Sequence, residues 1–477
     1  MKRLSRMLLV ICLIVMTGLM TSLVKADVIT IRINARHYTP TASTVRSAAT
    51  PYPTTQLAKI IAAYEKTHPN VKIECLKPLG EAEYRTWMIT QLSGGTAPEI
   101  LHIDIGFINQ DINKNWWLPI DKYLDMPNPY VAGNKKWRDT FVIAPGRLAA
   151  DGLNYVVAVD AVTSFEYYNK DIFAKLKLKE PQTWVQYISL LKKLKEAGYQ
   201  ATGDWGYYNV RFACIEDALL DPLISQLDVI TKDGKCSTEE LVRGIKKGIY
   251  SAKNPRYREV WRLVGQTVPY WQDGWQSAGD GFGAAYGPAN RDFRLGTLAI
   301  FGSGCWSYGM ITQDPNVKFG VGAFRLPKIT TSTSGFATGK ETMLEGGLGA
   351  IQWGMTNTVK TKGIEKEVID WLMYVSAPQN ANPMIREIGQ FMTNMKGAAD
   401  QLEQMGPGEQ YVQDVRECRF YFVRRIDAQY DTEFERIQVL YYLKKITLAD
   451  AMIQMQTAMN SAADRLITQF KYDTSKW

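Results

Sequence analysis

Two aspartates, Asp104 and Asp160, are the first residues of the 477-residue chain that could do covalent chemistry. A pair of carboxylates across a glycosidic bond can act as acid and nucleophile, which makes a secreted glycosidase one reading. The signal is weak, because the chain holds 48 acidic residues and some pair is always available. Its three histidines, His37, His68 and His102, lack metal-ligand spacing. "NQDINKN" at 109–115 alternates oxygen-bearing side chains as a calcium loop does. It lacks the glycine and closing glutamate of an EF-hand and reads as a helix start. The glycine clusters at 279–287 and 346–349 form neither a dinucleotide fingerprint nor a phosphate loop with lysine. No G-x-S-x-G or H-E-x-x-H occurs, so no motif carries an enzyme or a cofactor.

The stretch "TLAIFGSGCWSYGM", 297–310, points elsewhere. Gly302, Gly304 and Gly309 surround Trp306, and glycines this close in or beside a strand imply that something approaches the backbone. The stretch is built to present a flat apolar surface. Aromatic residues make up 11% of the chain, and most aromatics pack cores, so each of Trp205, Trp271, Trp275 and Trp306 taken singly reads as core.

The ends and the composition set the compartment. Lys2, Arg3 and Arg6 precede the apolar run "MLLVICLIVMTGLMTSLV", and "VKA" at 24–26 has the residue types a signal peptidase reads. Residues 1–26 are therefore expected to be a signal peptide cleaved near Ala26, with an uncleaved anchor as the alternative. The expected location is secreted, periplasmic or at the cell surface. Cleavage removes four basic residues and no acidic one, taking the net charge from +8 to +4. That excess is diffuse and gives nucleic-acid binding no support. Five cysteines remain, of which Cys214 and Cys236 are nearest in sequence; buried apolar thiols are the expected state.

Strands and helices alternate along the first part of the chain. "DVITIRINAR" and "NVKIECL" read as strands flanking the helix "PTTQLAKIIAAYEKTHP", whose Leu57, Ile60, Ile61 and Tyr64 share a face. "EYRTWMITQLSGG" reads as a helix and "PEILHIDIG" as a third strand. This order implies an α/β fold with a parallel, doubly wound sheet, in which ligands sit beyond the carboxyl ends of the strands. Asn34, Arg36, Lys77, Asp104 and Phe107 then share one rim. A second unit begins near "YNKDIF", followed by a helix with Thr183 as N-cap. "GIEKEVIDWLMYVSAP" reads as a helix stopped by Pro378, and Phe434 to Phe470 as helical throughout.

The ordered set "AAYEKTHPNVKIE", "QLSGGTAPEILHID", "WLPIDKYL", "EYYNKDIF", "PQTWVQYISLLKKLKEAGY", "GTLAIFGSGCW", "EGGLGAIQ" and "KGIEKEVIDWLMYVSAPQNA" spans nearly the whole mature chain. In that order it resembles the extracellular solute-binding proteins, family 1, of ABC importers, the sugar-binding, maltose-binding-protein-like group. The resemblance implies a two-lobe periplasmic-binding-protein fold with a hinge and an interlobe ligand cleft. It implies that 27–166 begin lobe I, 167–327 begin lobe II, 328–376 return to lobe I, and 377–477 form C-terminal helices mostly with lobe II. Carried over by position, the ligand contacts would be Asn34, Arg36, Asp104, Phe107, Asp160, Trp205, Tyr207, Trp306, Gly346 and Gly347, with Trp275 added from the aromatic region 267–295. The pattern departs at Leu298–Ala299, where alanine is usual one place earlier, and most of all over 200–295.

On this reading the indole of Trp306 covers the apolar face of a sugar, and the glycines leave room for that face to reach it. Carboxylates, amides and arginine take the hydroxyls. The partners implied are a carbohydrate and the permease subunits of an ABC importer with their ATPase; the protein is expected to be a monomer and not an enzyme. A receptor for a non-sugar solute is the remaining alternative.

Overall fold

Ile31 and Ile33 of β1 (Ile29–Ile33) are buried while Arg32 between them is half-exposed, the alternation of a strand with one face on a core. The computed structural model describes residues 28–45, 53–77, 79, 81–103, 105–204, 210–232, 234–275, 288–312, 314–340, 349, 351–389, 391–396 and 426–477. The expected signal peptide lies outside them, as do Asp104, Trp205, Tyr207, Gly346 and Gly347.

After β1 come α1 (Gln56–Thr67), β2 (Val71–Cys75), α2 (Glu81–Ser93), β3 (Ile100–His102) and α3 (Ile105–Asp111). β4 (Val156–Ala158), β5 (Asp160–Ala161) and β6 (Ser164–Asn169) follow almost without a break. Next are α4 (Trp184–Glu196), β7 (Gln200–Asp204), α5 (Val210–Leu220), α6 (Thr238–Lys246), α7 (Pro255–Thr267) and α8 (Pro288–Arg294). β8 (Leu298–Gly304), α9 (Trp306–Thr312), β9 (Val321–Phe324) and β10 (Gln352–Met355) lead to α10 (Glu365–Val375) and α11 (Pro378–Ile388). β11 (Met392–Thr393), α12 (Ala428–Tyr442) and α13 (Leu448–Phe470) complete the set.

These elements make two α/β lobes. The first is organised on a five-stranded sheet in the order β2-β1-β3-β10-β4. β1 pairs parallel with β2 and β3, as the alternation of strands and helices requires, but β10 runs antiparallel to both β3 and β4. The expected all-parallel sheet is thus a mixed one, because β10 enters from the other lobe rather than from a crossover helix. The second lobe is organised on a four-stranded sheet, β7-β8-β6-β9, in which only β7 and β8 are parallel. Every residue of β8 is buried, since Ile300 faces the helices of this lobe and Phe301 the opposite side. Between the sheets, β5 pairs antiparallel with β11, Thr393 opposite Asp160 and Met392 opposite Ala161. The chain crosses between lobes at β5, between β9 and β10, and between β11 and α12, which forms the hinge.

Helix faces follow the apolar spacing. Leu57, Ile60 and Tyr64 of α1 are buried, and the helix packs against α10 and α11. Thr183 caps α4 by accepting from the Gln186 N–H. Three expectations change. "NQDINKN" closes α3 rather than opening a helix: Ile112–Lys114 is one 3-10 turn, and Asn115 leaves it at φ 54°. Pro378 opens α11, where its missing N–H costs nothing, instead of merely ending α10. The stretch 434–470 is two helices, parted where Lys444 adopts φ 56° and Thr447 starts a new capping box with Asp450. No disulfide joins Cys75, Cys214, Cys236 and Cys305 to one another, and Cys214 Sγ lies 3.1 Å from Ser164 Oγ. Among the described residues no helix is long and apolar enough to cross a membrane.

Candidate functional site

β1 ends at Asn34, whose N–H donates to the Ile100 carbonyl at 3.0 Å and so holds it beside β3. The Asn34 side chain is buried, and its Oδ1 has no hydrogen-bond partner among the described residues. Arg36 follows at φ 51°, a left-handed conformation that costs a non-glycine residue about 1–2 kcal/mol. Such strain persists only where surrounding contacts impose it. Here the next turn supplies them: the buried Tyr38 hydroxyl donates to Asp160 Oδ2 at 2.7 Å, and the Arg36 guanidinium lies over the Tyr84 ring, 5.0 Å from its centroid.

Asp160 is fully buried in the hinge strand β5. Besides Tyr38, its Oδ1 accepts from the Ile351 N–H at 3.3 Å, and its carbonyl accepts from the Gly349 N–H at 3.0 Å. Burial, then the negative charge of Asp160, pushes the Tyr38 hydroxyl far above the ordinary phenol range. The carboxylate therefore ties the end of β1 to two crossing segments. Asp160, expected as a ligand contact in the first crossing segment, is thus buried and engaged by the protein's own groups.

On the second lobe, β8 ends at Gly304 and α9 begins at Trp306. A Cβ added to Gly304 would overlap the six-membered ring of Trp306. Gly304 thus makes room for the indole itself, where the glycine pattern suggested room for a ligand. The turn is pinned from beneath: Cys305 N–H donates to the Thr163 carbonyl at 2.8 Å and the Tyr167 hydroxyl to the Gly304 carbonyl at 3.1 Å. Burial pushes the Cys305 thiol up to about 12, so it stays a protonated packing group. Trp306 remains half-buried, with one side of its ring system on the core.

Residues 50–382 match the model of the bacterial extracellular solute-binding proteins. The chain belongs to that family. Over 269 residues this solute-binding protein is 24% identical to an uncharacterized ABC transporter extracellular-binding protein of Pyrococcus horikoshii. The match covers 54% of this chain and 55% of the relative, so the chain spans about half the length of that curated relative. Among solved structures it is similar to a chitin oligosaccharide binding protein, at a TM-score of 0.64 and 16% identity, over 92% of this chain and 100% of the other. RafE from Streptococcus pneumoniae in its apo form gives 0.59 and 15%, over 92% and 98%. Maltose-bound MalE3 of T. maritima gives 0.60 and 13%, over 91% and 99%. At these identities the likeness is one of fold.

Within the solute-binding protein, the expected contacts separate. Asn34 and Arg36 stand at the end of β1, Asp160 in the hinge and Trp306 at the end of β8. Phe107, on α3, is half-buried beneath the Arg85 guanidinium at 4.4 Å, and Arg85 is held by Asp111 at 2.7 Å. Trp275 stands apart from β1, edge-on to Trp271 at 5.1 Å and near Tyr442 at 6.2 Å, on the helical core of the second lobe.

Three features escaped the sequence. Among the described residues, Thr163 Oγ1 and Gln352 Oε1 are buried without hydrogen-bond partners beside the crossing segments, as Asn34 Oδ1 is. Glu166 and Arg211 form a fully buried ion pair at 2.8 Å. Arg211 also donates to the Tyr187 hydroxyl and to the Gly203 carbonyl, which fixes the end of β7 against α5. Nothing in the sequence around Arg211 distinguishes a buried arginine from a solvated one.

Proposed function

We propose that this solute-binding protein receives a carbohydrate between its lobes and delivers it, unaltered, to an ABC importer. One observation supports this reading above the others. A half-buried indole at the end of β8 accompanies buried oxygens that have no donor among the described residues, Asn34 Oδ1, Thr163 Oγ1 and Gln352 Oε1, around the junction of the sheets. An unpaired buried acceptor costs about 1–3 kcal/mol. A sugar supplies what such a set lacks, hydroxyl donors around an apolar C–H face that stacks on an aromatic ring. The names of structural relatives point the same way, since one was solved with raffinose, one with maltose, and one binds chitin oligosaccharides.

The contacts proposed on the first lobe are Asn34, Arg36, Asp104 and Phe107, with Gly346 and Gly347 on the returning segment. Those on the second are Trp205, Tyr207 and Trp306, with Trp275 behind them; Asp160 shapes the hinge floor. In this reading the lobes divide the chain as 27–166 with 328–376, and 167–327 with most of 377–477, except that β6 (Ser164–Asn169) already belongs to the second sheet and Ile329 and Phe336 still pack on the second core. The protein works as a secreted or periplasmic monomer whose closed form docks on permease subunits served by an ATPase.

A thermal-melting screen of the purified protein against mono-, di- and oligosaccharides tests this, with chromatography of each incubation for products. Stabilisation without turnover supports the receptor. Release of products would make the protein an enzyme, and stabilisation only by non-carbohydrate solutes would leave a receptor of another kind.

A further inference from the structure

α13 packs with α6, α7 and α12 on the second lobe, yet its last turn bonds to the first. Gln469 Nε2 donates to the Asn109 carbonyl at 3.0 Å, and the Tyr472 hydroxyl donates to the Ala150 carbonyl at 2.9 Å. Both acceptors belong to the first lobe. Asn109 lies on α3, directly after β3, and Ala150 lies in the turn that leads to β4. They form one unit, because Asn109 Oδ1 accepts from the Ala150 N–H at 2.8 Å.

The tail is shaped to make this reach. Lys471 takes φ 54° and ends the helix, so the chain folds back on itself. Tyr472 then stacks near Phe470 at 5.7 Å and near Trp477 at 6.3 Å, all three against the core of the second lobe. Trp477 Nε1 donates to Glu239 of α6 at 3.3 Å, which fastens the far end of the tail to its own lobe. The Tyr472 ring therefore belongs to one lobe and its hydroxyl to the other. Burial raises the pKa of that hydroxyl and keeps it a donor, and the charges that add to the effect come from both sides, Glu239 and Asp151.

Neither bond is part of the β5–β11 crossing. Turning one lobe about the crossing must lengthen them, and a hydrogen bond stretched beyond about 3.5 Å is lost. We propose that Gln469–Trp477 form a strap that holds the lobes at the angle described here and yields when a solute draws them to another. The inference needs only the two-lobe fold and holds whatever the solute is. A third, longer bond joins the lobes here, from Asn113 Nδ2 to the Gln469 carbonyl at 3.5 Å. The two shorter bonds, at ordinary net strength, bias such an equilibrium by about thirtyfold.

Spin labels on Lys66→Cys of α1 and Lys192→Cys of α4 would report the angle between lobes, with Cys75 and Cys418 replaced by serine in the otherwise full chain. The quantity measured is the label-to-label distance distribution without added solute. Tyr472→Phe deletes one oxygen and leaves the ring packed; it should shift or broaden the distribution. Truncation after Phe470 should move it further in the same sense, and Trp477→Phe, which cuts only a bond within the second lobe, should move it least. Melting curves identify any variant that fails to fold, and Tyr472→Phe decides if the truncation does. Distributions for Tyr472→Phe and the truncation that superimpose on the wild type, with folding intact, would overturn the strap.

Discussion

Gly304 and Trp306 act as one unit, because the glycine has no side chain where the indole lies. Gly304→Ala should displace the ring and weaken solute binding at least tenfold, as Trp306→Ala should, and the two together should do little more than either alone. Tryptophan fluorescence titration with the stabilising solute checks both; unchanged affinity in Trp306→Ala would remove the indole from the site. Tyr38→Phe makes a separate point. It leaves Asp160 Oδ2 buried without its donor from Tyr38, so unfolding by urea should become easier by about 1–3 kcal/mol. Glu99 gives the acid limb of stability. Burial raises its pKa, but hydrogen bonds from Arg32 and Lys362 outweigh burial and hold it below 4.5. A carboxyl lowered on folding contributes stability above its unfolded value and loses it as pH falls through the folded one. Melting should therefore decline below about pH 4.5, and Glu99→Gln should flatten that decline while lowering the plateau. The glycines around Trp306 were legible as a sign of close approach, although what approaches at Gly304 is the indole itself. Residue spacing could not reveal the engagement of Asp160, whose partner Tyr38 lies 122 positions away.

At the scale of elements, the helices with one apolar stripe were readable: α1, α4 and α10 stand where their patterns put them. The break between α12 and α13 was not, because the apolar period runs on past it and the left-handed residue is Lys444 instead of a glycine. What starts α13 is local and testable. Thr447 and Asp450 exchange side-chain and backbone bonds, with Thr447 Oγ1 donating to Asp450 at 2.7 Å. Thr447→Ala should lower stability by about 1 kcal/mol in urea denaturation, with no effect on solute affinity. The sense of β10 was equally hidden. Strand periodicity gives which residues face a core, but antiparallel pairing with β3 and β4 depends on where the chain comes from.

For the whole molecule, the two-lobe plan was legible through the order of many weak segments, none of which decides it alone. The lobes' relation is carried by long-range contacts, the β5–β11 pair and the tail bonds, and these have no local signature. A solute that binds the folded form at a hundredfold its dissociation constant should add about 2.7 kcal/mol to stability, visible as a raised melting temperature. If it bridges the lobes it should also change the small-angle scattering profile. The position of β10 between β3 and β4 has one more result. A nascent chain that has emerged only as far as β9 owns every strand of the second sheet but lacks an interior strand of the first. The half that is synthesised earlier is then the half that must wait, with two strand edges open until β10 arrives.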